Sequence, residues 1–319
     1  MLDWPQKRVL VTGGAGFLGG VVCRLLQERG AGEVIVARSA DYDLTRRDDV
    51  EKLWVDSDPH VVIHLAARVG GIGANMERPA ELYLANLLMG TYVIEQARAS
   101  GTEKTVILGT ICSYPKFTPV PFEEGALWDG YPEETNAPYG VAKKALLVHA
   151  QANRAQYGQK SIYLLPTNLY GPGDKFNPNV SHVIPALIKK FVEAVDAEHD
   201  EVEVWGTGKA TREFLYVDDA AEGIVLATES YDSPEPVNLG ANHEVPIKVL
   251  AETIAKLTGY EGSIRWNVAR PDGQPRRAVD GTRAGAAFGF EPLVDLDEGL
   301  KRTIEWYRAH RAEAEAATL

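Results

Sequence analysis

The chain has 319 residues, 45% of them hydrophobic and 24% charged, a globular composition that excludes a disordered, collagenous or small disulfide-stapled protein. Its 33 basic and 45 acidic side chains give a formal net charge of -12, and without a Lys/Arg-rich run to offset it no nucleic-acid partner is expected. Two cysteines, Cys23 and Cys112, lie outside any metal-ligand spacing, and no run approaches the roughly eighteen apolar residues of a membrane span or a signal peptide, so the expectation is a cytoplasmic protein without metal or membrane.

The β-branched run 8–12 ends in a glycine cluster, and residues 17–29 then place Leu18, Val21, Val22, Leu25 and Leu26 at helical spacing, which predicts a strand, a tight turn and a helix. The alternation continues with strands at 33–37, 61–65, 105–108 and 161–165 and helices around 50–54, 82–99 and 139–157. Apolar strands alternating with amphipathic helices predict an α/β fold, a doubly wound parallel (Rossmann) sheet covered on both faces. After Tyr170-Gly171-Pro172-Gly173 the rhythm breaks, with a helix near 183–197 and a strand at 202–205. This predicts a smaller, interleaved α+β lobe: residues 1–170 plus about 213–241 as the dinucleotide-binding domain, and about 171–212 plus 242–319 as the substrate lobe. The alanine-rich tail 309–319 is expected to fray. The long stretch 113–138, with Pro115, Pro119, Pro121 and Pro132 and the aromatics Tyr114, Phe117, Phe122, Trp128 and Tyr131, is expected to be a functional loop.

Gly13-Gly14-Ala15-Gly16-Phe17-Leu18-Gly19 places glycines where the backbone must turn sharply and approach a pyrophosphate at a helix N-terminus. At the end of the second strand, where an acid would bind a ribose 2'-hydroxyl, stands Arg38, which favours NADP and leaves NAD as the alternative. Asp43 and Leu44 are candidates to flank the adenine. Tyr139 and Lys143 form an i,i+4 pair on one helix face, where an ammonium eases proton transfer from the phenol to a substrate oxygen. Cys23 lies on the apolar face of its helix and is assigned to packing.

Further segments carry a resemblance along nearly the whole chain: Ala67-Arg68-Val69-Gly70-Gly71-Ile72, Thr110-Ile111-Cys112-Ser113-Tyr114-Pro115-Lys116, Asn136-Ala137-Pro138-Tyr139, Ser181-His182-Val183-Ile184-Pro185-Ala186-Leu187, Arg212-Glu213-Phe214-Leu215 and Arg270-Pro271-Asp272-Gly273-Gln274-Pro275-Arg276. With these the chain resembles the extended short-chain dehydrogenase/reductases that act on nucleotide sugars, and within them the GDP-L-fucose synthase family. The resemblance implies a GDP-sugar substrate, NADPH-dependent reduction at C4 by Tyr139, Lys143 and Thr110, and C3/C5 epimerisation by Cys112 and His182. A 4-keto sugar has acidic hydrogens at C3 and C5, for which a thiol and an imidazole are a suitable base and acid. Which of the two acts as base stays open on the residues alone.

The resemblance further implies that Leu65, Ala66, Ala67, Leu108, Gly109, Pro166, Thr167, Asn168, Leu169 and His182 line the dinucleotide, that Lys190, Trp205, Arg212 and Asp272 hold the GDP moiety, and that the protein is a homodimer. The glycine turn departs from the family pattern: Gly14 and Ala15 stand where a histidine-arginine pair is usual, which leaves Arg38 alone to favour NADP and admits a related GDP-4-keto-deoxyhexose or heptose. A 4,6-dehydratase would need an acid/base carboxylate pair after the threonine, and Ile111 and Cys112 stand there instead. A simple 4-epimerase, or a sensing scaffold that has lost the chemistry, would have no use for Cys112 and His182 together.

Overall fold

In a computed structural model, which describes residues 2–70, 72–178, 181–270 and 272–316, strands and helices alternate as the hydrophobic pattern requires. The chain runs β1 (Arg8–Thr12), α1 (Phe17–Glu28), β2 (Glu33–Ala37), α2 (Arg47–Ser57), β3 (Val61–His64), α3 (Ile72–Glu77), α4 (Pro79–Ala99), β4 (Lys104–Leu108), α5 (Ala137–Tyr157), β5 (Ser161–Pro166) and β6 (Asn168–Tyr170). It continues through α6 (Val183–Asp196), β7 (Glu201–Trp205), β8 (Thr211–Tyr216), α7 (Val217–Ser230), β9 (Val237–Leu239), β10 (Glu244–Pro246), α8 (Ile247–Thr258), β11 (Ser263–Asn267), β12 (Arg276–Arg277), α9 (Thr282–Phe288), α10 (Leu296–Ala309) and α11 (Arg311–Ala316). Gly71 and Pro271, both in the motif segments above, lie outside the described residues, as do 317–319.

Six strands form one sheet in the order β2-β1-β3-β4-β5-β9, every neighbouring pair parallel. Side chains alternate across it: Val9 and Val11 pack on one face with α1, α7 and α9, and Leu10 packs on the other with Leu53, Trp54 and Val93. Each is fully buried, so the apolar runs of the strands are explained by cover on both faces. Strand order reverses between β1 and β3, and their register, Thr12 opposite His64, aligns the carboxyl ends there. That is the crevice in which open α/β sheets hold ligands.

The second lobe is built on β10-β8-β12, with β6 paired to β8, and a parallel ribbon of β7 and β11. Its core gathers Phe191 from α6, Leu250 and Ile254 from α8 and Tyr307 from α10. Glu213, fully buried on β8, accepts the backbone N–H groups of Asn242 and Val279, each at 2.8 Å, and so ties three segments of the lobe together.

Two sequence expectations need correction. The tail does not fray through 311–316: it forms α11, buries Ala314, and places Glu315 to accept the Tyr307 hydroxyl at 2.7 Å and pair with Lys189 at 2.9 Å. Tertiary contacts there override a weak local signal. Residues 113–138 are in part core: Tyr114, Phe122 and Leu127 are buried, whereas Phe117, Trp128 and Tyr131 are exposed. The Tyr114 hydroxyl donates to Asn238 at 2.6 Å, and the Phe122 N–H donates to the Ala278 carbonyl at 2.8 Å.

Candidate active site

The glycine turn joins β1 to α1 at the crevice. Gly13 has φ of 75°, and a Cβ there would lie 2.8 Å from the Ala66 nitrogen, so only glycine lets the two strand ends approach this closely. Helix α1 begins at Gly16 without a side-chain cap, leaving its first N–H groups free for an anion. A bare backbone surface facing an uncapped helix end fits the pyrophosphate of a dinucleotide. Leu65, Ala66 and Ala67 follow β3, Leu108 and Gly109 end β4, and Pro166 to Leu169 span the end of β5 and the start of β6, so all meet the same carboxyl edge.

Arg38 is exposed just beyond β2. Nearby, Asp43 accepts from the Thr45 N–H and hydroxyl at 2.9 and 2.7 Å. Those bonds, with Arg68 and Arg46 close by, hold its carboxyl below the ordinary range. Leu44 is buried. The corner where an adenosine ribose would lie is thus rich in guanidinium groups.

At the end of β4 the chain enters a turn of 3-10 helix, Ile111–Ser113, capped by Thr110, whose Oγ1 accepts the Cys112 N–H at 3.2 Å. Helix α5 presses its first turn against this segment. A Cβ on Gly140 would fall well inside contact with the Cys112 carbonyl, and the Ser113 hydroxyl donates to the Gly140 carbonyl at 3.0 Å. This close approach brings Tyr139 beside Cys112 and Thr110. Burial, and next the neighbouring Cys112, push the Tyr139 phenol up, against the opposing effect of Thr110, so the tyrosine holds its proton at neutral pH. Lys143, one turn further along α5, is 2% exposed. Burial pushes its ammonium down to about 8.

Thr110, Cys112 and Tyr139 are therefore brought together, with Lys143 beneath them. His182 stands at the head of α6 in the other lobe, open to solvent in the cleft. Enough protein surrounds it to push the imidazole down, helped by Lys175. Cys23 is buried against the Gly14 carbonyl, 3.8 Å away, and burial raises its thiol.

Of the four residues expected to hold GDP, two pairs form. Trp205 is 56% exposed, with the Arg270 guanidinium 4.6 Å and the Lys190 ammonium 5.7 Å from its ring centre; Lys190 also donates to the Glu203 carbonyl at 3.0 Å. An indole left uncovered on the rim of a cleft is a stacking surface rather than core. Arg212 donates to the Asp272 carbonyl at 3.2 Å. The Asp272 carboxylate accepts from the Thr207 N–H and hydroxyl, each at 2.7 Å, which shapes the loop that borders Trp205. Burial, and then the charge of Arg277, push Arg212 down to about 10.

Two residues at this site escaped sequence reasoning, and a third, Arg270, was read as part of a motif but given no role. Arg277 stands among other charged residues with no periodic signal, and His64 sits inside a plain strand pattern. His64 is fully buried, 2.8 Å from the Thr12 hydroxyl, and burial with the charge of Lys143 lowers it to about 3.

The model of the NAD dependent epimerase/dehydratase family matches residues 9–240. The chain is 43% identical over 302 residues to GDP-L-fucose synthase 1 of Arabidopsis thaliana, covering 95% of this chain and 93% of that protein. It superposes on a GDP-6-OMe-4-keto-L-xylo-heptose reductase from C. jejuni with a TM-score of 0.89 at 26% identity, covering 96% of this chain and 99% of that one. A GDP-L-fucose synthetase from Naegleria fowleri bound to NADP gives 0.87 at 26% identity, over 96% and 95% of the two chains. With the sheet order, the glycine turn and the Tyr139/Lys143 pair in place, the chain belongs to the NAD dependent epimerase/dehydratase family, in its GDP-L-fucose synthase branch.

Proposed function

We propose that the protein converts GDP-4-keto-6-deoxy-mannose to GDP-L-fucose with NADPH, by epimerisation at C3 and C5 followed by reduction at C4. The observation that carries this reading is the clustering of Thr110, Cys112 and Tyr139 at the carboxyl edge of the sheet, where a thiol beside a ketone-reducing pair has a use only if a carbon acid must also be deprotonated. Cys112 takes the proton from C3 or C5 as the C–H electron pair moves into an enolate at the C4 oxygen, and Thr110 donates a hydrogen bond to that oxygen. His182, across the cleft, returns a proton to the opposite face. A dinucleotide held at the glycine turn would supply the hydride for C4. Tyr139 gives its proton to the C4 oxygen, and Lys143 stabilises the phenolate left behind.

Arg38, with Arg46 and Arg68 at the same corner, supports NADP through the charge of a 2'-phosphate, as does the relative solved with NADP. Trp205 with Arg270 and Lys190 would stack the base, and Arg212 with its neighbour Arg277 would meet the diphosphate. A homodimer across α4 and α5, which expose Leu84 and Val148, fits the same reading, and light scattering would measure it.

The test is a proton NMR time course with GDP-4-keto-6-deoxy-mannose in heavy water, with NADPH, NADH or neither. Deuterium entering C3 and C5 without cofactor, followed by GDP-L-fucose with NADPH in preference to NADH, is the expected result. Reduction without exchange would overturn the epimerase half and move the substrate to a related GDP-keto sugar.

A further inference from the structure

The guanidinium of Arg277 points at the sulfur of Cys112, with Nη2 3.3 Å from Sγ. The two residues are 165 positions apart, and the contact is held from both sides. Residues leading into β12 and out of it are bolted to the loop that follows Cys112: Gln274 donates to the Lys116 carbonyl at 2.8 Å, and Phe122 and Asp280 bracket the strand end through backbone hydrogen bonds. On its other edge β12 pairs with β8, where Arg277 stands opposite Arg212. Arg277 Nε is buried and has no hydrogen-bond partner, and no ion pair to Arg277 is found among the described residues. A half-buried guanidinium with no carboxylate, an orphaned N–H and a second arginine beside it is placed to meet anions.

Resting on the reading of Cys112 as the exchange base, we infer that Arg277 is a positioning residue that aims the Cys112 sulfur at the sugar and sets a cation against the thiolate form in which it acts. A cation in direct contact with sulfur favours the charged, basic form over the thiol. Proton abstraction then converts that thiolate to a thiol while the C–H electron pair enters the enolate. After His182 has delivered a proton to the opposite face, exchange with water returns both groups to their starting forms. Arg277 itself gains and loses nothing. It stands opposite Arg212 on the neighbouring strand, and its charge is felt there, so the same guanidinium borders the seat proposed for the diphosphate, and an arriving substrate is drawn onto the base that will act on it.

The experiment uses the full chain and its Arg277→Met, Arg277→Lys and Cys112→Ser variants, each checked for folding by NADPH binding. In the ligand-free protein the rate of iodoacetamide alkylation at Cys112, followed by mass spectrometry at pH 7 with buried Cys23 as the inert internal control, is expected to fall about tenfold or more in Arg277→Met and to recover in part in Arg277→Lys. Deuterium exchange at C3 and C5 under saturating nucleotide sugar is expected to fall about a hundredfold in kcat in Arg277→Met, beyond any rise in KM from the lost diphosphate contact. An unchanged alkylation rate, or a loss confined to the KM for the nucleotide sugar, would overturn the proposal and leave Arg277 as a diphosphate contact only. Full exchange activity in Cys112→Ser would instead bring down the assignment of the base, an outcome separable from the alkylation result.

Discussion

Lys143 illustrates how the site is maintained against the stability of the fold. Its ammonium is 2% exposed and burial lowers it from 10.5 to about 8, so the folded protein binds this proton less tightly than the unfolded chain does. Between pH 8 and 10.5 the unfolded state carries more protons, and stability rises with pH through that window. Below pH 8 the full penalty is present, roughly 3 kcal/mol for a shift of this size. Lys143→Met keeps the packing and removes the charge, and is expected to raise the Tm of the ligand-free protein at pH 7 by about 5 °C for a chain of this length. That advantage should shrink as pH climbs from 8 to 10.5. The same variant should lose about 10²–10⁴-fold in NADPH-dependent reduction. Calorimetry across that pH range measures the first effect and NADPH oxidation the second. A Tm at pH 7 equal to or below that of the parent would refute the reasoning, because it would mean that the ammonium is held by partners strong enough to repay its burial.

Tyr139→Phe should lower ketone reduction about 10²–10⁴-fold while deuterium exchange at C3 and C5 continues, as read by NMR; loss of both together would contradict the division of labour proposed. Gly140→Ala forces α5 away from the Cys112 carbonyl, and should destabilise the protein by about 1–3 kcal/mol in urea unfolding and depress exchange and reduction alike. Parental stability in that variant would sink the packing account. Trp205→Ala should weaken GDP binding about tenfold in calorimetric titration, roughly the value of an aromatic stacking contact; an unchanged Kd would show that the base lies elsewhere.

What was legible in the sequence is what is local. The glycine turn, the strand before it and the helix after it occupy twenty-one consecutive residues, 8–28, and Tyr139 and Lys143 are one helical turn apart, so periodicity and turn chemistry identify them directly. The parallel character of the sheet followed from the alternation of strands and helices, though its order did not. Arg277 was invisible because its meaning depends on Cys112, 165 residues away, reached through a strand of two residues that no pattern would announce. The same holds for Tyr114 and Phe122, whose aromatic side chains looked like loop decoration and are anchored by Asn238 and Ala278. Ala314 misled in the opposite direction: an alanine-rich tail has weak local drive, but the surface offered by α10 and Lys189 makes helix there.

The way the backbone passes between the two sheets has a consequence for how the molecule comes apart. It leaves the six-stranded sheet after Pro166 and is in the other sheet by Asn168; it returns through Tyr216 and Val217 into α7, supplies β9, and departs again for β10. No single cut therefore releases an intact half: everything before Tyr170 lacks β9 and α7, and everything after it lacks a partner for the buried face of α7. Loss of either lobe strips the other of an element of its own core, so heat or denaturant should dismantle both in one transition, and a protease that nicks an exposed turn should generate fragments that remain associated until the whole chain lets go.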